Sequence, residues 1–158
     1  MSPSHVLLLA FHIGGVDGLR CMTAPATVAW AAHLNWLNLH NTFLSFMEST
    51  AAVVIFTLLA AVEMVVDQLP STPSRVQARG LTARMILGAF SGACIAVAGG
   101  QSIAIGAVLG LVGGVAGAFA GYQARTRLVK ALKVRDLFVA LPEDAVAIAA
   151  GLFIVSRL

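Results

Sequence analysis

Residues 103–122 read IAIGAVLGLVGGVAGAFAGY, a stretch without one Asp, Glu, Lys or Arg. At about 1.5 Å per residue such a helix is about 30 Å long, the thickness of a bilayer's hydrocarbon core. Its glycines fall at every fourth position on two stripes, Gly106, Gly110 and Gly114 on one and Gly113, Gly117 and Gly121 on the other. Small residues at that spacing let helix backbones approach closely, which drives packing where burial between helices in lipid cannot. The stripes predict a tight hairpin with the preceding crossing or, alternatively, a homo-oligomer. A phosphate-binding loop is the poorer reading, because no GxGxxG follows a strand and no Gly-Lys-Ser/Thr occurs.

Composition agrees with a membrane setting. Of 158 residues, 59% are hydrophobic and only 11% charged, with a mean hydropathy of +0.91. Soluble domains average roughly 45–50% apolar and about 25% charged. The sequence therefore predicts an all-α integral membrane protein, a single bundle of about five helices at ~20 residues per crossing. No soluble domain fits beside it.

The first apolar region, residues 6–37, is too long for one straight crossing, since a helix of about 32 residues spans about 48 Å. Gly14, Gly15 and Gly18, followed by Pro25, predict that it breaks or re-enters. Further crossings are expected over 43–66, 81–98, 103–122 and 138–155. Gly88 and Gly92 in the third lie one turn apart, matching the stripes of the fourth, and Gly99-Gly100 makes a tight turn between them.

Basic residues set the expected orientation. Arg75, Arg79 and Arg84 flank one loop and Arg125, Arg127, Lys130, Lys133 and Arg135 fill another, with two crossings between them. Loops 67–80 and 123–137 are therefore expected on the cytoplasmic side. This reading makes the excess of basic residues a topology signal and not a nucleic-acid footprint; the expected partner is the lipid bilayer. Cys21 and Cys94 read as small buried hydrophobes. No cofactor is indicated, and no metal is specified.

Function is expected at the charges inside these apolar segments. One charge near the bilayer centre costs at least ~2.5–3.5 kcal/mol on insertion scales, so each needs a partner, water or a role. Asp17 and Arg20 are three apart and can pair on one helical turn, or the glycines beside them can expose backbone to a solute. Glu63 and Asp67 are four apart at a helix C-terminus, where acids oppose the macrodipole and call for a cation such as Arg75, Arg79 or Arg84. Glu143 and Asp144 follow Pro142, a pattern that favours the first turn of a helix. Thr23, Thr27 and Ser91 read as interhelical hydrogen-bond donors. No GxSxG, HExxH or supported Cys-His spacing points to an enzyme.

At Gly15-Val16-Asp17-Gly18-Leu19-Arg20, at Glu63 through Arg75 and at Glu143-Asp144, the chain resembles a bacterial family of small multi-pass membrane proteins known as domain of unknown function 4126. Its most specific part is Glu63-Met64-Val65-Val66-Asp67-Gln68-Leu69-Pro70 with the Thr-Pro-Ser-Arg that follows. Members commonly carry Asp-Lys where this chain has Asp67-Gln68. The resemblance implies a bacterial inner-membrane protein and brings no activity with it. The leading expectation is a channel or transporter for a cation or small polar solute built on Asp17, Arg20, Glu63, Asp67, Glu143 and Asp144. A non-transporting scaffold or lipid-binding assembly module is the alternative, and a membrane enzyme acting on a lipid head group comes third.

Overall fold

The computed structural model describes residues 1–67, 76–132 and 137–158, and every regular element among them is helical. Gln68, Leu69, Pro70, Thr72, Pro73, Ser74 and Arg75 of the expected family motif, and the basic residues Lys133 and Arg135, lie outside the described residues.

Helix α1, Pro3–Leu19, begins where the Ser2 hydroxyl accepts the His5 amide at 3.4 Å and Pro3 supplies a pre-set φ. Gly14, Gly15 and Gly18 do not break it. They lie inside α1, and Pro25 lies in the first turn of α2, Thr23–His33, where no intrahelical donor is needed. The expected position of the break is thus corrected to Arg20, Cys21 and Met22, with Arg20 extended at φ −141° and ψ 109°.

After this reversal the chain doubles back. Helix α2 runs antiparallel to α3, Thr50–Val66: Met22 meets Glu63, Trp30 Nε1 donates to Thr57 Oγ1 at 3.0 Å, and His33 Nδ1 sits 2.8 Å from the Glu48 carbonyl. With 11 residues, α2 reaches about 16 Å, too short to cross a bilayer. The first apolar region is therefore a helical hairpin whose second arm is short.

Asn35, at φ 61°, ends α2, with its N–H on the Ala32 carbonyl and that of Trp36 on Ala31. This is a Schellman stop with asparagine in the left-handed position. Residues 34–49 then fold over the end of α2, burying Leu37, Leu39, Leu44 and Met47. The second crossing, expected over 43–66, is shorter. Phe43–Glu48 is a 3-10 turn, and the extended Ser49 starts α3 afresh by accepting the Ala52 amide at 3.1 Å.

Helix α4, Ala78–Ala98, stops at a second Schellman turn with Gly100 at φ 69°. Helix α5, Ile103–Leu132, extends ten residues beyond the expected 103–122, because residues 123–132 contain neither Gly nor Pro. Most of the expected basic loop 123–137 is consequently helical. Helix α6, Leu137–Val155, also starts earlier than Pro142, so the expectation that Glu143 and Asp144 open a helix is corrected; both acids lie in its interior.

The bundle is organised around α1, α4 and α5. Val6 lies against Gly99 at one end and Gly18 against Arg84 at the other, so α1 and α4 are antiparallel. The stripe Gly106, Gly110 and Gly114 meets Gly88, Gly92 and the Arg84 backbone of α4; a Cβ built on Gly92 would sit 2.5 Å from the Gly106 carbonyl. Gly113 and Gly117 meet Phe11 and Gly15 of α1, and Gly110 touches both neighbours, packing against Gly14 as well as Gly88. Gly121 is buried lower on α5.

Among the described residues, Ala78–Ala98, Ile103–Ala131 and Phe138–Val155 are long and apolar enough to cross a membrane, and Thr50–Val66 is a shorter apolar helix. Large side chains such as Leu58, Val62, Val108, Val112 and Phe153 point outward from the helices. Apolar surface on that scale is what lipid covers and water does not.

Candidate functional site

The hairpin reversal creates the site, because it ends α1 and starts α2 in the same place. Backbone groups of both ends need partners there. Glu63, near the end of α3, supplies them for α2: its carboxylate accepts the Cys21 and Met22 amides, each at 2.8 Å, and the Cys21 thiol at 3.0 Å. Met22 itself provides no side-chain cap, so an acid from another helix does the capping. Arg84 of α4 does the converse for α1. Its Nε donates to the Gly18 carbonyl at 3.1 Å and its Nη1 to Gly80 at 3.1 Å. A negative group at a helix N-terminus and a positive one at a C-terminus both follow the macrodipole.

Arg20 stands between these ends and is completely buried. One guanidinium nitrogen contacts Asp67 Oδ2 at 2.5 Å, and the other contacts Asp144 Oδ1 at 2.5 Å as a close ion pair without hydrogen-bond alignment. A single arginine thus ties the reversal to the end of α3 and the middle of α6. Arg84 Nη2 lies 4.0 Å from both Glu63 Oε1 and Asp67 Oδ2, which joins the two halves of the cluster.

The expected turn pair of Asp17 with Arg20 does not form. Helix α1 stops at Leu19, so the i, i+3 geometry never reaches Arg20, which turns to other helices. Asp17 is fully buried, and neither carboxylate oxygen has a hydrogen-bond partner among the described residues. Ser91 of α4 lies beside it, without a well-aligned hydrogen bond between the two, and Glu63 and Arg84 are the neighbouring charged groups. The expectation that Thr23, Thr27 and Ser91 bond between helices is also corrected: Thr27 turns to the Ala24 carbonyl of its own helix at 2.9 Å, and the Thr23 and Ser91 hydroxyls are unpartnered.

Glu143 leaves the cluster. Although adjacent to Asp144, it faces α5 and lies 3.5 Å from Arg125. Of the six residues nominated from sequence, Arg20, Glu63, Asp67 and Asp144 come together, Asp17 lies beside them, and Glu143 belongs to a separate pair. Arg84, one of the three arginines offered by the sequence as a cation for Glu63 and Asp67, joins the cluster from inside α4, 4.0 Å from both acids. No group of three or more His, Cys, Asp or Glu side chains among the described residues is arranged to hold a metal ion.

A family model described as Domain of unknown function (DUF4126) matches residues 7–156, nearly the whole chain. No curated protein and no solved structure matches it.

Proposed function

Because the chain belongs to the DUF4126 family, whose description assigns no activity, we propose from the geometry that it is a membrane protein that binds and moves a proton or small monovalent cation through Asp17. One observation carries this reading. At the reversal four carboxyls, those of Asp17, Glu63, Asp67 and Asp144, are set against two guanidiniums, those of Arg20 and Arg84, and Asp17 is the acid without an ion pair among the described residues. An uncompensated charge in the bilayer costs at least ~2.5–3.5 kcal/mol. Protons or cations therefore supply the missing charge. The buried Asp17, with the Ser91 hydroxyl beside it, is the position where one binds and leaves.

Under this reading the ion pairs of Arg20 hold the reversal closed, in the manner of a discontinuous membrane helix whose exposed ends serve a solute. Under the same reading the charged end faces the cytoplasm across a bacterial inner membrane, with both chain ends opposite, an orientation that the positive-inside bias of its basic residues supports. Proteoliposomes containing the protein and an internal pH dye, or loaded for sodium or potassium flux, test it. Flux is expected for one of these ions and is lost in Asp17→Asn. Flux no greater than in empty vesicles, or equal flux in the variant, sinks the proposal.

A non-transporting scaffold is the second reading, and one observation favours it: the wholly buried Arg20 is ion-paired with both Asp67 and Asp144. It predicts no flux from the parent protein, and loss of folded protein without any change in flux when Arg20 is replaced.

A further inference from the structure

Asp17 sits where glycines bring helix backbones into contact, and the closeness of that packing limits which ion can reach it. A Cβ on its neighbour Gly18 would lie 2.5 Å from the Ala118 nitrogen and from the Gly114 carbonyl oxygen of α5. On the α4 side stand Ser91 and, one turn further on, Cys94, both wholly buried. Asp17 itself is 0% exposed, so no space of water size adjoins its carboxylate.

A carboxylate at membrane depth needs an opposite charge, and the protein's own cations are committed elsewhere. Arg84 gives its Nε to the Gly18 carbonyl and its Nη1 to Gly80, and turns Nη2 toward Glu63 and Asp67. Arg20 is held by Asp67 and Asp144. The other titratable groups around Asp17 are Glu63 and the thiols of Cys21 and Cys94, which carry no positive charge. Sodium and potassium are held by several oxygens set round a space of the ion's own size, which replace its hydration shell. A proton needs neither the shell nor the space, only one oxygen.

We propose that the ion bound at Asp17 is a proton, and that the closed packing of α1, α4 and α5 around the carboxylate excludes sodium and potassium. This rests on the reading of Asp17 as the ion-binding residue and narrows what it carries. Binding forms one O–H bond at a carboxylate oxygen and leaves the side chain neutral. Release breaks the same bond, returns the proton and restores the negative charge, so no other reactant takes part. The bound proton lies beside the Ser91 hydroxyl, to which no other described group bonds.

Proteoliposomes of the full chain test it, with a pH dye inside, thiocyanate as the permeant counter-ion, and protons and an impermeant organic amine as the only cations. An external acid jump is expected to acidify the interior several-fold faster than in empty vesicles. Added sodium or potassium leaves that rate unchanged, and Asp17→Asn returns it to the empty-vesicle rate. Infrared spectra of the parent are expected to show the C=O band of a protonated carboxyl, shifted by deuterium exchange and absent from Asp17→Asn. Circular dichroism reports whether that variant folds, and the ion carried by the parent decides the assignment in either case. Sodium or potassium uptake by the parent without a change of interior pH overturns the proton and leaves Asp17 as an ion site. Absence of flux for all three ions overturns both readings. A folded parent that shows no protonated-carboxyl band at any pH also overturns the proposal.

Discussion

Arg20, at the reversal between α1 and α2, and Asp144, in the middle of α6, lie 2.5 Å apart and join the two ends of the chain at one buried point. The same guanidinium holds Asp67 at the end of α3, so the reversal is fixed by two helices to which it is not adjacent in sequence.

Removing this arginine strands two acids. Breaking a buried pair from one side costs roughly 3–5 kcal/mol, because the remaining charge is left unsolvated. Arg20→Gln is therefore expected to lose most of its folded yield in detergent, measured by size-exclusion chromatography and thermal denaturation. Arg20→Lys rescues only in part, since an ammonium lacks the planar fork that spans two carboxylates.

Glu63 acts as a cap supplied from another helix. Loss of a cap costs about 0.5–2 kcal/mol. Glu63→Ala should raise hydrogen exchange at the amides of Cys21 and Met22 and through the first turn of α2, while α4 and α5 stay protected. Uniform exchange across the bundle would contradict this local role.

Neighbouring glycines in α1 are expected to behave oppositely. A Cβ on Gly14 would overlap the Gly110 carbonyl, whereas one on Gly15 finds its nearest neighbour 4.0 Å away. Gly14→Ala should lower the melting temperature sharply. Gly15→Ala should leave it unchanged or raise it, since alanine gains about 0.5–1 kcal/mol over glycine in a helix interior. Thermal unfolding of both variants in the same detergent decides the point.

Asp17 is predicted to oppose stability while serving function. Replacing it with Asn removes a buried carboxylate that has no hydrogen-bond partner. The variant should melt at or above the parent's temperature even though ion flux is lost, the trade expected of a functional polar group in a core. A large drop in melting temperature would instead make Asp17 a structural residue.

Much of the helical layout could be read before any coordinates. The apolar run of residues 103–122 and the Gly99-Gly100 stop lie where local hydropathy and backbone preference put them, because both depend on a few adjacent residues. The errors cluster where a distant helix intervenes. Gly14 and Gly18 looked like a break, yet their missing side chains admit the backbone of α5 and so keep α1 helical. Pro142 looked like a helix start, yet α6 begins five residues earlier, so the proline is accommodated within it. At the site, the identity of the acids was legible because a charge in an apolar segment is conspicuous. Their partners were legible only in part: Arg84 was among the cations offered for Glu63 and Asp67 and lies 4.0 Å from both, whereas Glu63 serving the amides of Cys21 and Met22, and Arg20 serving Asp67 and Asp144, do not follow from spacing along one helix.

The sequence by itself determined that this protein is helical and suited to a membrane, and which few residues carry its charge, because hydropathy and charge are properties of single residues summed over short windows. Only the tertiary structure decided where the first apolar region turns back, which acid meets which arginine, and that Asp17 is left over. Those depend on which helix ends are brought to one level in the bundle, and ion pairs at 2.5 Å form between whichever groups the packing of α1, α4 and α5 delivers there.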